Sequence, residues 1–173
     1  VQDRFLAFVN TLVFAGCGHD MDNYQVALAR DILTCPRTIV NKSRKVGVSY
    51  LFAALCLALA IAYGKSSVIA APSLSNSKRV MEFLRQILEN TKGLIQMSFD
   101  AESTTQVSIK EGGTVYSVPN RPAAVRGLSI DGLAIMDEWA HYRDGDDEKM
   151  FLAVGPATVL GGHMVGASTP AGQ

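Results

Sequence analysis

Two periods of apolar residues organise the chain. From position 22 to 33 the apolar residues Val26, Ala27, Leu28, Ile32 and Leu33 recur at helical spacing and stop before Cys35-Pro36, which predicts a helix. Positions 49–63 form a second helix, almost wholly apolar. A third runs from a cap at Ser75 or Asn76 to about Asn90, with Val80, Phe83, Leu84, Ile87 and Leu88 on one face. Short continuous apolar runs at 38–40, 67–72 and 133–136 read as buried strands, and 163–167 as a final strand. Positions 106–110 and 114–118 flank Glu111-Gly112-Gly113, a hairpin signature. Positions 147–160 are weakly helical, with Gly155-Pro156 expected to kink or break the helix. Strands alternating with helices predict an α/β fold, a mostly parallel sheet with helices on both faces. Ligands then bind at the C-terminal ends of the strands. With 173 residues and neither an internal repeat nor a low-complexity linker, positions 1–173 suit a single domain.

Residues 46–63 carry no charge and are flanked by Arg44-Lys45 and Lys65, which meets the length of a membrane span. Gly47 and Ser49 belong to a loop, however, and the alanine-rich remainder suits packing against a sheet. A buried helix is therefore expected, with no membrane partner. The sixteen basic and sixteen acidic residues cancel, so a nucleic-acid partner would need a local basic patch. Cys17, Cys35 and Cys56 show no metal-binding spacing and read as reduced, mostly buried thiols of an intracellular protein. The apolar stretch 5–14 lacks a basic leader and a cleavage site, so no signal peptide is expected.

Between the first strand and the apolar helix lies Lys42-Ser43-Arg44-Lys45-Val46-Gly47-Val48-Ser49. Set against the phosphate-loop template G-x-x-x-x-G-K-[ST], Gly47 and Ser49 occupy the second-glycine and hydroxyl positions. Val48 holds the lysine slot and Lys42 the first-glycine slot. A lysine approaching from the strand side could still bring charge to phosphate held by the amides of a helix N-terminus. The plain alternative is a strand–turn–helix connection that happens to contain glycine. Asp137-Glu138, at the end of an apolar strand, fits a magnesium-holding carboxylate followed by one that activates water. Alone, such a pair is usually a solvated turn; downstream of the loop it gains meaning. Ser168-Thr169-Pro170, after the last strand, could sense the γ-phosphate or simply end the strand. Tyr24-Gln25 could stack on and hydrogen-bond an adenine. Arg121 and Arg126 are candidates for phosphate neutralisation, and Arg44 is better placed in cis. His19, His141 and His163 do not cluster, so no protein metal-ligand set is expected from them.

In this order the pieces resemble the ATPase domain of the large terminase subunit, the DNA-packaging motor of tailed bacteriophages. The carrying residues are Tyr24-Gln25, Ser43 to Ser49, Ala124-Val125-Arg126-Gly127 after a hairpin, Ile135-Met136-Asp137-Glu138, and Ser168-Thr169-Pro170-Ala171-Gly172. The resemblance spans about residues 20–173, and its Val-Arg-Gly segment is absent from generic P-loop proteins. It implies a P-loop NTPase of the ASCE/RecA-like class using ATP and Mg2+. Nucleotide would be bound by Tyr24, Gln25 and the stretch Lys42, Ser43, Arg44, Lys45, Val46, Gly47, Val48, Ser49 and Tyr50. Ser49 and Asp137 would serve the metal, and Glu138 would be the catalytic carboxylate, with Lys42 and Arg44 on phosphate. Arg126 would be an arginine finger, in cis or from a neighbour. Ser168, Thr169 and Pro170 would couple hydrolysis to DNA movement. Implied partners are double-stranded DNA, a portal protein, the small terminase subunit and further copies in a ring, in the host cytoplasm. Val48 departs from the many terminases with lysine there; Lys42 matches a displaced-lysine subset, with Lys45 the second choice. No nuclease residues are assignable. Two other readings stay open: a degenerate loop that binds nucleotide without turnover, and a helicase-like ATPase, since Asp137-Glu138-Trp139-Ala140-His141 looks somewhat like a DExH box.

Overall fold

A computed structural model of the protein describes residues 2–93, 99–100, 103–142 and 145–170; Ala171 and Gly172 of the last motif lie outside them. Seven strands form one sheet: β1 (Arg37–Asn41), β2 (Ser67–Ala71), β3 (Phe99–Asp100), β4 (Gln106–Ile109), β5 (Thr114–Pro119), β6 (Leu133–Asp137) and β7 (His163–Ser168). Their spatial order is β1-β7-β6-β2-β5-β4-β3. The five strands from β1 to β5 pair in parallel, and β4 and β3 extend the sheet antiparallel. Strands β2 and β6 are buried along their whole length, which is why neither shows alternation in the sequence.

Helix α3 (Val48–Tyr63) lies on one face of this sheet, enclosed by α1 (Gln2–Cys17), α2 (Asn23–Thr34) and α4 (Leu74–Thr91). Every residue from Leu51 to Ala60 is at most 7% exposed. A helix apolar all round needs cover all round, and protein supplies it. No described helix is long and apolar enough to cross a membrane. On the opposite face, α5 (Pro122–Val125) and α6 (Asp146–Ala157) cover Val68, Ala70, Ala134 and Met136, the alternate residues of β2 and β6.

Several expectations needed correction. Strand β1 is not buried: it has a single neighbour, β7, and Ile39 is 83% exposed. An edge position leaves one face without a covering helix, and a three-residue run carries no sign of that. Helix α1 is an element the sequence reading above does not include, and it buries Phe5, Leu6, Val9, Leu12 and Val13 at helical spacing. Near its end Gly16 meets the Tyr50 hydroxyl so closely that a methyl group there would overlap it. The cap of α4 is Ser73, whose Oγ accepts from the Asn76 amide at 3.2 Å, and not Ser75 or Asn76. Helix α6 runs through Gly155-Pro156 because Pro156 sits in its last turn, where the lost N–H costs one bond at most. Cys17 and Cys35 are exposed; only Cys56 is buried, and burial pushes its thiol up to about 12. The hairpin forms as expected, with Glu111 in the left-handed region at φ 60°.

Exposure therefore separates two apolar residues that look alike in sequence. Leu55→Ala is expected to cost about 2–5 kcal/mol in urea unfolding. Ile39→Ser should stay within about 0.5 kcal/mol of the parent; an equal loss at both would contradict the edge placement of β1.

Candidate functional site

The chain leaves β1 at Lys42, whose backbone N–H still pairs with the Ser168 carbonyl at 3.0 Å. It then turns sharply, with Lys45 at φ 60° and Gly47 at φ 71°, and enters α3. Among the described residues no side chain caps this helix start. Its first amides are therefore free for an anion, and Gly47, Val48, Ser49 and Tyr50 line a cavity of about 250 Å³. Lys42, Ser43, Lys45, Val46, Asp137 and Glu138 complete its loop and sheet sides. Val48 is 4% exposed and belongs to the core. The lysine slot of the template is thus filled by a core side chain at the cavity wall, and Lys42 stands on the strand side.

Helix α2 braces the loop from behind. The Tyr24 hydroxyl donates to the Val46 carbonyl. Gln25, 5% exposed, accepts from the Asp22 amide at 3.0 Å as part of a capping box. Its side-chain nitrogen lies against Gly47, where a Cβ would come within 2.9 Å of it. Glycine is needed there both for the turn and for this approach. Neither Tyr24 nor Gln25 lines the loop cavity.

Strand β6 carries the carboxylates. Ser49 Oγ donates to Asp137 Oδ2 at 2.5 Å. Lys42 Nζ lies 3.2 Å from Asp137 Oδ1 and 2.7 Å from Glu138 Oε1. The lysine and Asp137 side chains are each 8% exposed. Glu138 has a left-handed backbone, φ 53° and ψ 42°, a conformation that costs on the order of 1–3 kcal/mol for a non-glycine residue. Its other oxygen accepts from the Thr169 amide and the Thr169 hydroxyl, each at 3.1 Å. Burial acts to lower the Lys42 pKa, but the hydrogen bonds and charges of Glu138 and Asp137 outweigh it and hold the ammonium above its ordinary value. Burial likewise acts to raise Glu138, and the bonds from Lys42 and Thr169 outweigh it, leaving the carboxyl below its ordinary value.

The sheet order explains why these groups meet. Because β7 lies between β1 and β6, its end at Ser168-Thr169 is wedged between Lys42 and Glu138. Ser168 Oγ also accepts from the Ala140 amide at 3.3 Å. Ser168, Thr169 and Pro170 line a second cavity, of about 370 Å³, with Ile39 and Trp139. Ser49 and Asp137 offer a hydroxyl and a carboxylate converging at the loop, a donor set suited to Mg2+, which takes one or two protein oxygens plus phosphate and water. No cluster of three or more His, Cys, Asp or Glu occurs among the described residues.

Three expected arginines stand apart. Arg44 is exposed and does not line the loop cavity. Arg121 is exposed at the start of α5. Arg126 is exposed and lines a separate cavity against α6, on the opposite face of the sheet. Two residues of α4 were missed: Asn76 and Arg79 line the loop cavity, with the Arg79 guanidinium 5.6 Å from the Phe83 ring centroid. Their position just after the end of β2 was the available signal.

This geometry has relatives among solved structures. The large terminase ATPase domain of Thermus phage P74-26 matches with a TM-score of 0.73 at 17% identity, over 92% of this chain and 69% of that one. The chain has the fold of a large terminase ATPase domain. The large terminase of bacteriophage HK97 matches with a TM-score of 0.73 at 19% identity, over 96% of this chain and 37% of that one. A large terminase from a thermophilic bacteriophage, solved in complex with ATP-gamma-S, matches at 0.61 and 13% identity, over 87% of this chain and 38% of that one. The chain thus spans little more than a third of the two whole subunits. No family model and no curated protein sequence matches it.

The ion pairing fixes how the site responds to acid. A carboxyl held low contributes stability that is present above its ordinary pKa and is lost as pH falls through the depressed value. A lysine held high contributes until pH rises through its raised value. Lys42→Met leaves two adjacent carboxylates unpaired, so the variant should lose roughly 3 kcal/mol at pH 7. That deficit should shrink as pH falls below 4, and the Glu138 carboxyl should titrate higher by carbon-13 NMR. A deficit independent of pH would contradict the pairing.

Proposed function

We propose that this chain is the ATP-hydrolysing part of a large terminase subunit, using Mg2+ and ATP to drive double-stranded DNA translocation. The observation that carries the reading is the convergence of Lys42, Ser49, Asp137 and Glu138 on one uncapped helix start. The order of motifs and the terminase ATPase fold support it. ATP binding is also consistent with the related subunit solved with ATP-gamma-S. In this reading the α3 amides, Ser43 and Lys42 hold the triphosphate, and Tyr24 and Gln25 lie on the adenine side. Ser49 and Asp137 would hold the Mg2+ ion, which when bound supplies charge neutralisation at the phosphate oxygens.

Lys42 has two competing anions in its life: the carboxylates it now bonds and the phosphate of an incoming nucleotide. Transfer of its charge to phosphate releases Glu138 Oε1, which can then orient a water and accept its proton. Thr169 still holds Oε2, so a change at Glu138 is felt at the end of β7; that contact supports a coupling role for Ser168, Thr169 and Pro170. Arg126, exposed on the far face, suits a finger supplied to a neighbouring copy in a ring better than one acting in cis. A portal protein and the small subunit would complete the packaging machine in the host cytoplasm.

Mg2+-dependent ATP hydrolysis by the purified chain at high protein concentration tests the reading. Glu138→Gln should lower kcat by about 10²–10⁴ with ATP binding retained. Lys42→Ala should abolish turnover and Lys45→Ala should spare it. ATP binding without turnover in the parent would favour a nucleotide-binding module; no ATP binding at all would overturn the assignment.

A further inference from the structure

One side chain near the carboxylates belongs to none of the roles above. His141 closes the 3-10 turn Trp139–His141 that follows Glu138. Its Nε2 lies 2.9 Å from Thr169 Oγ1 and 3.6 Å from Glu138 Oε2. Thr169, 4% exposed, gives its hydroxyl and its amide to the same Glu138 oxygen. A hydroxyl has one proton. If that proton goes to Glu138, the Thr169 oxygen can only accept from the imidazole, which must then carry a proton on Nε2. Neither His141 nor Thr169 lines the loop cavity, so neither is placed to touch the nucleotide.

We infer that His141 is a positioning residue for Glu138, acting through the Thr169 hydroxyl in the chain His141 Nε2–H to Thr169 Oγ1–H to Glu138 Oε2. Lys42 is the partner of Glu138 Oε1 and Thr169 the partner of Oε2, so the departure of Lys42 leaves the carboxylate held at Oε2. On that departure the two Thr169 bonds become the contacts that aim Oε1 at the attacking water. His141 fixes which way the hydroxyl points, and through it the aim of the carboxylate. The chain also joins the turn after β6 to the end of β7 by side chains, so the orientation of the carboxylate and the position of the β7 end are coupled. The inference rests on the ATPase reading for its catalytic consequence and on geometry alone for the hydrogen-bond chain.

The two parts are tested separately. In ATP turnover, His141→Ala should lower kcat about tenfold with KM for ATP within about twofold, as expected of an orienting bond outside the binding cavity. His141→Gln, which returns an amide N–H near the Nε2 position, should recover most of the loss. Thr169→Val should match His141→Ala, and the double variant should be no worse than Thr169→Val alone. His19→Ala, at an exposed histidine whose ring bonds the Asp20 carbonyl, far in the fold from Glu138, should leave kcat unchanged. Independently of turnover, long-range proton–nitrogen NMR should find the His141 proton on Nε2, and the signal should shift in Thr169→Val. Parent turnover with kcat unchanged in His141→Ala would overturn the positioning role and spare the ATPase reading. A proton on Nδ1 with a bare Nε2 would overturn the chain even in a parent that hydrolyses nothing.

Discussion

Helix α3 sets the terms for the whole molecule. Its ten central residues present apolar surface in every direction, and burying that surface requires a sheet beneath and helices on the remaining sides. Helices α1, α2 and α4 meet that requirement, and in doing so they fix the position of the α3 N-terminus. Tyr24 and Gln25 at the start of α2 reach the loop, Tyr50 packs under α1 and edge-on to Phe83 of α4, and Gly47 closes against Gln25. The candidate site is thus the exposed end of a helix immobilised by its own hydrophobicity. A loop on a less buried helix would hold its amides less rigidly.

Charge is arranged with the same economy. Burying Lys42 beside Asp137 and Glu138 would be costly for any one of them alone. Together they satisfy one another, and the two carboxylates share a lysine that no other described anion contacts. Under the proposed function, the arrangement would hold Glu138 in a paired state until a competing anion arrives, which would discourage proton abstraction in an unloaded site. Placing the cation on β1 instead of on α3 makes this possible. A lysine at position 48 would start from the helix; Lys42 starts from the strand, next to β7 and within reach of both carboxylates.

Much of this was legible in the sequence. Continuous apolar runs gave β2 and β6, helical spacing gave α2 and α4, and Glu-Gly-Gly gave the hairpin. The loop, the acidic pair and the polar end of β7 are legible as separate pieces; that Lys42 bonds Asp137 and Glu138, with Ser49 on Asp137, is a contact the sequence does not foretell. What escaped depended on spatial order. Nothing in Thr38-Ile39-Val40 says that β1 is an edge, and nothing in the spacing says that β7 inserts between β1 and β6. That insertion is what brings Thr169 to Glu138 and His141 to Thr169. Arg44, inside the loop in sequence, does not line its cavity, whereas Arg79, far away in sequence, does. Helix α1 carries its signal openly in the helical spacing of Phe5, Val9, Leu12 and Val13.

The central claim is that Lys42 exchanges carboxylate for phosphate. A high-resolution structure of the chain with Mg2+ and a slowly hydrolysed ATP analogue tests it most directly. The account predicts Lys42 Nζ within hydrogen-bond distance of a phosphate oxygen, its contact with Glu138 Oε1 broken, and Ser49 and Asp137 parted around the ion. Lys42 still bonded to Glu138 while Lys45 alone meets the phosphates would contradict it.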